Sequence, residues 1–245
     1  PDVEVVKSLK RHVQSADSGR KQLAEALAAY EGKGDSFADK RGAFFSAYVS
    51  TLDRSGQLYL LHVPPSYDPT KKHALQVRSA PYVRRYDTPR GLKESAGHLV
   101  LDLCGRGQNA IEGLGELDAL EAIRDVRKHY NIDPDRIYIT GESIGGGGAW
   151  RMVARYPNLF AAALIGKGWT WTSRLNLENV SNLPIWVYHG AKDRPVPVDE
   201  SRMAVRFLSA MGSPIIYNEI PGGRGITSGT ARSCVLASSG RFSAW

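Results

Sequence analysis

The sequence predicts an α/β fold: a mostly parallel central sheet flanked by helices, preceded by an N-terminal helical appendage. Three observations carry that prediction. From about residue 45 onward, short apolar runs recur, each bounded by turn residues. Amphipathic helical stretches separate several of these runs, which is the pattern of β-α-β units. Near the middle of the chain, residues 136–150 combine an apolar run, a Gly-rich turn and a helical segment.

Residues 2 to about 30 read as helix, with Val6, Leu9 and Val13 on one stripe. Leu23, Leu27 and Tyr30 repeat the stripe after a break at Ser15–Gly19. Glu31-Gly32-Lys33-Gly34-Asp35 looks like a linker, so residues 1–40 are expected to form an appendage and 41–245 the main domain. Ala47–Leu52 and Leu58–Val63 flank Asp53-Arg54-Ser55-Gly56, which predicts a hairpin, and Pro64-Pro65 stops its second strand. Further strands are expected at Ala74–Val77, His98–Leu103, Arg136–Thr140, Phe160–Ile165, Ile185–Tyr188 and Ile215–Ile220. Leu117, Leu120, Ile123 and Val126 recur every three residues with charges between them, predicting an amphipathic helix. Two more helices are expected at Ala149–Tyr156 and Asp199–Met211.

Composition narrows the function classes. In 245 residues, 42% apolar and 23% charged are ordinary globular values, which exclude wholesale disorder and a coiled coil. No window approaches the roughly 18 uninterrupted apolar residues of a membrane span. Cys104 and Cys234 are too few for a disulfide scaffold or a cysteine-only metal cluster, and Cys104 reads as an inert core thiol. The formal charge of +7 is dispersed from Lys7 to Arg241 without the dense patch that nucleic-acid binding needs. The chain starts at Pro1, with neither an initiator Met nor a basic-then-apolar leader, so a processed or excised piece is expected.

The most informative stretch is Arg136-Ile-Tyr-Ile-Thr140 followed by Gly141-Glu142-Ser143-Ile144-Gly145. A G-x-S-x-G between a strand and a helix is the setting of a nucleophile elbow. The glycines let strand and helix approach, and the turn lifts the Ser143 hydroxyl over a helix N-terminus that favours developing negative charge. The Ile144 N–H, next after the serine, is then an oxyanion donor. Phosphate binding is the competing use of such a turn. It fails because Ala161 stands where the first glycine before Gly166-Lys167 belongs, and Ala110 where Gly105-Arg106-Gly107 needs a third. Fifty residues on, the run Ile185–Tyr188 leads into His189-Gly190-Ala191-Lys192-Asp193-Arg194-Pro195, and Asp193 is the candidate acid of a Ser-acid-His order.

With these residues in view, roughly 45–222 resemble the α/β-hydrolase superfamily, in its esterase and peptidase branch. That branch includes polyhydroxybutyrate-depolymerase-like, feruloyl-esterase-like and prolyl-oligopeptidase-like proteins. The resemblance rests on Tyr67–Lys72, on Tyr130-Asn131-Ile132-Asp133-Pro134-Asp135-Arg136 leading into the elbow, on Gly145-Gly146 with Trp150, and on His189–Pro197. It implies a serine nucleophile, an acyl-enzyme, water as acceptor, a small ester substrate, and neither metal nor organic cofactor. It also implies a histidine after the last strand, where Pro221-Gly222-Gly223-Arg224-Gly225 places arginine instead. A guanidinium has no acceptor and a pKa above about 12, so Arg224 cannot take the serine proton. His189 remains as a substitute base or, in the favoured reading, as filler beneath the acid loop.

The loop expected to supply the second oxyanion donor reads Arg78-Ser79-Ala80-Pro81-Tyr82, and Pro81 removes one N–H. Trp169, Trp171 and Glu142 are pocket candidates, the two tryptophans either overhanging the serine or packed inside. Arg106 and Asn109 either border the pocket mouth or form a surface turn, the second being favoured. After Glu219 there is no acidic residue, and 222–245 lacks a helical stripe. A truncated or frame-altered tail is the expectation, a natural inactive homologue the alternative. The readings carried forward are an impaired serine esterase, a ligand- or carbohydrate-binding pseudoenzyme, and a prolyl-oligopeptidase-type peptidase.

Overall fold

The structure is a computed structural model that describes residues 40–79, 97–104, 106, 111–171 and 173–223. Residues 1–39, which hold nearly all of the expected appendage, lie outside the described residues. So do 80–96, Asn109 and the tail from Arg224. Eight strands form one sheet: β1 Gly42–Val49, β2 Gly56–Val63, β3 His73–Ser79, β4 Leu99–Leu103, β5 Ile132–Glu142, β6 Ala162–Gly166, β7 Ile185–Gly190 and β8 Ile215–Ile220. Their spatial order is β1-β2-β4-β3-β5-β6-β7-β8. β2 runs antiparallel to both neighbours, and every pair from β4 across to β8 is parallel.

Burial explains which runs became interior strands. β4 (LVLDL) and β6 (AALIG) are buried at every position, as expected of parallel strands covered on both faces. Leu61, Leu75, Val77, Leu99, Leu101, Ile137, Ile139, Ile165 and Val187 make the centre of the core. β1 starts earlier than the sequence suggests, and the turn spans Ser50 to Ser55, closed by the Ser55 carbonyl accepting from the Ser50 amide at 2.8 Å. Arg54 takes the left-handed conformation there, while Asp53 caps the turn through the Ser55 amide.

Three α-helices are described: α1 Leu114–His129, α2 Ile144–Arg155 and α3 Asp199–Ala210. The inward face of α1 differs from the expected stripe. Leu117 is 38% exposed, whereas Ala119, Ala122, Ile123 and Val126 face the core. Three carboxylates of α1 are buried beside them, each with a partner. Glu116 accepts from Arg151, Arg155 and Tyr156, Asp118 from Arg106, and Glu121 from the Thr51 amide and hydroxyl. Arg106 also reaches Asp53 in the β1–β2 turn, so it serves as a structural clamp and not as a pocket residue. Cys104, just past β4, is buried as expected. Among the described residues no helix is long and apolar enough to cross a membrane.

The connections place the crevice. After β3 the chain turns to β4 on one side, and after β5 it proceeds to β6 on the other. Adjacent strands whose connections diverge open a crevice at their carboxyl ends, where open α/β sheets bind ligands. β3 and β5 are such a pair, and β5 ends at Ser143's neighbour, Glu142.

Candidate active site

Ser143 sits at the junction of β5 and α2 with φ 56° and ψ −120°, a conformation that L-residues rarely adopt. The backbone around it tolerates only glycine at key points. A Cβ on Gly141 would lie 2.1 Å from the Gly145 carbonyl oxygen, so the glycines two before and two after the serine touch. A Cβ on Gly146 would meet Gly166 and Gly168, which brings the loop after β6 directly onto the first turn of α2. The Ser143 amide donates to Gly166 O at 3.0 Å, and the Ser143 carbonyl accepts from Gly147 at 3.0 Å. These bonds fix the turn and leave the serine half-buried. Ile144 is the first residue of α2, where an amide has no acceptor within its own helix.

Asp193 lies on the loop after β7. Its side chain is 3% exposed, and Oδ1 accepts from the Val196 amide at 3.2 Å. Glu142, Gly166 and Tyr188 are in register across β5, β6 and β7. Both loops therefore leave the same edge of the sheet with one strand between them, about 10 Å apart at the usual strand spacing.

His189 sits beneath the acid loop, fully buried. Val196 O can only accept, so the Nε2–H donates to it at 3.0 Å, and Nδ1 accepts from the Ser201 hydroxyl at 2.7 Å. Burial lowers its pKa, keeping the ring neutral, and both nitrogens are committed. The substitute-base reading of His189 is thereby corrected: it fills the space beneath the acid loop, as the favoured reading had it, and its two hydrogen bonds also tie that loop to α3.

The pocket candidates separate. Glu142 pairs with Lys167 at 3.0 Å across the rim between β5 and the loop after β6. Trp169 lies against the first turn of α2, where a Cβ on Gly147 would come within 2.6 Å of its indole. Trp171 stacks on it with centroids 5.0 Å apart and an interplanar angle of 17°. Trp171 is 57% exposed, so packing in the core does not describe it. Between them the buried Thr170 is held by Glu200 of α3, which accepts from its amide and its hydroxyl, each at 2.9 Å. Neither the Glu142–Lys167 pair nor the role of Glu200 was readable from sequence, since each links residues 25–30 positions apart with no motif.

Arg224 and the expected second oxyanion loop at 80–82 lie outside the described residues. Gly223 is described: its carbonyl accepts from Lys192 at 2.9 Å, and a Cβ on Gly190 would lie 2.5 Å from that oxygen. Among the described residues no group of His, Cys, Asp and Glu could hold a metal ion.

Comparison with known proteins agrees with this architecture. Residues 113–179, from the start of α1 past the elbow, match the prolyl oligopeptidase family of S9 peptidases. An uncharacterized secreted protein of Arthroderma benhamiae is 32% identical over 119 residues, 37% of this chain and 13% of that protein. The carboxylesterase SOBER1 of Arabidopsis thaliana is 29% identical over 121 residues, 44% of this chain and 52% of that one. The crystal structure of a thermostable esterase superposes with a TM-score of 0.59 at 26% identity, over 74% of this chain and 55% of that one. The chain thus spans about half the length of these relatives or less. Sheet order, elbow and matched segment together give the chain an α/β-hydrolase fold, with its likenesses in the esterase and peptidase branch.

Proposed function

We propose that this chain is a serine esterase with Ser143 as nucleophile, the Ile144 N–H as one oxyanion donor and Asp193 as the acid. The observation that carries the reading is the strained, half-buried Ser143 at a helix N-terminus, on the same sheet edge as a buried carboxylate. In this reaction the Ser143 oxygen attacks the ester carbonyl carbon and its proton passes to a base. The tetrahedral oxyanion is held by N–H groups, and the bond to the leaving alcohol breaks as the alcohol takes the proton. Water then attacks the acyl-serine by the same route in reverse and releases the acid.

Position 224 is the proposed place of the base, and arginine there leaves the chain impaired. Loss of a triad base costs on the order of a million-fold in turnover, with about 10³–10⁴ over water surviving through the oxyanion hole and binding. The committed nitrogens of His189 favour the second reading, a pseudoenzyme that keeps the pocket for a small ligand or carbohydrate. Turnover of p-nitrophenyl acetate and butyrate by the chain, by Arg224→His and by Ser143→Ala separates the two. A gain in Arg224→His that Ser143→Ala abolishes supports the esterase. Equal rates in all three overturn the triad. Labelling by a fluorophosphonate at Ser143 reports directly whether the hydroxyl is activated.

A further inference from the structure

A tryptophan more than half exposed forgoes burial of one of the largest apolar side chains, and a rigidly held one commonly marks a binding surface. Trp171 is such a residue. It does not dangle: its ring stacks at 5.0 Å on Trp169, and Trp169 is seated against Gly147 of α2. The intervening Thr170 is buried and fastened through Glu200, whose second oxygen takes Arg174 at 2.5 Å. Gly147, against which Trp169 packs, is four residues beyond Ser143, about one turn along α2.

We infer that Trp169 and Trp171 form a preorganised stacking platform that seats a six-membered ring with a face to stack, aryl or pyranose, carried by the ester whose carbonyl meets Ser143. The inference rests on the serine-hydrolase reading for calling the ring part of a substrate, and on the tryptophan geometry alone for the binding. Face stacking suits both ring types: an aromatic ring offers its π-face, a pyranose its C–H face. An aliphatic ester of equal size offers neither.

The test is titration of the full chain, with ¹⁵N-labelled tryptophan, by 2-naphthol and separately by methyl β-D-xylopyranoside, following the indole N–H signals. The Trp171 signal, assigned from its loss in Trp171→Ala, should move with one or both probes. Trp171→Ala should weaken that probe roughly 3- to 10-fold, in line with the worth of one aromatic stack. Leu175→Ala, a change at the neighbouring residue that is 89% exposed, should leave the affinity unchanged. Movement with 2-naphthol assigns the platform to aryl esters, and movement with the xyloside to sugar esters. If neither probe moves Trp171, or Leu175→Ala weakens binding as much as Trp171→Ala does, the platform is wrong. Fluorophosphonate labelling keeps the two readings apart. A labelled Ser143 with no ring binding overturns the platform and leaves the hydrolase. Ring binding without label, in the chain and in Arg224→His alike, overturns the hydrolase, and with it the claim that the ring belongs to a substrate.

Discussion

A serine with φ 56° and ψ −120° holds on the order of 1–3 kcal/mol of backbone strain, kept in place by the glycine contacts on either side. Ser143→Gly should relieve it and stabilise the protein by about 1 kcal/mol in chemical denaturation, after the entropic cost of glycine, while removing all labelling. Ser143→Ala removes the hydroxyl but not the strain, so it should show no such gain. If both variants gain equally, strain is not the cause. Cys104 provides a second test. Burial, helped by Asp102, pushes its thiol up to about 12, so iodoacetamide should modify it only after unfolding. Native-state alkylation mapped to Cys104 by peptide mass would contradict that. The strand-turn-helix around Ser143 was legible in the sequence because its signal is local: five residues and the elements either side. The place of Asp193 on the loop after a late strand was legible for the same reason. The fixing of Thr170 by Glu200 was not, because it joins a loop to a helix that only folding makes its neighbour.

Among the elements, the strands read well where burial on both faces made a continuous apolar run, as in β4, and β8 matches its expected bounds to the residue although it is a partly exposed edge strand. β5 begins at Ile132, four residues before the expected start at Arg136, because Asp133, Pro134 and Asp135 disguise it. The face of α1 was misread because Glu116, Asp118 and Glu121 look like solvent residues until their distant partners are known. α2 is an unlikely helix by propensity, with four successive glycines costing about 1 kcal/mol each relative to alanine. It persists because these glycines and Ala149, Trp150, Met152, Val153 and Ala154 are buried. Gly147→Ala should return about that amount of propensity while driving its Cβ into the Trp169 ring. The expected result is near-unchanged stability with a lost near-ultraviolet dichroism signal from the stacked pair. A clear loss of stability with the signal intact would show that the helix, not the ring, gives way.

For the molecule as a whole, the buried His189 links stability to pH. Burial lowers its pKa below the usual 6.5, against smaller raising effects from the Val196 carbonyl, Asp193 and Glu219, with Lys167 lowering it further. The unfolded chain therefore takes up the proton first. Stability is complete above about 6.5 and falls as pH drops toward the lower folded value. Thermal melts between about pH 7.5 and 5 should show this fall, and His189→Gln should flatten it. An equal slope in the variant would assign the fall to other groups.

The meeting of Gly190 with Gly223 is made of main chain alone, and the carbonyl of Gly223 is gripped by the Lys192 amide. Drift in the side chains of the last segment therefore leaves the point of departure after β8 where it was. Under the proposed placement of the base at position 224, one codon change would restore it. Replacing Gly190 would first require moving the segment that carries Gly223.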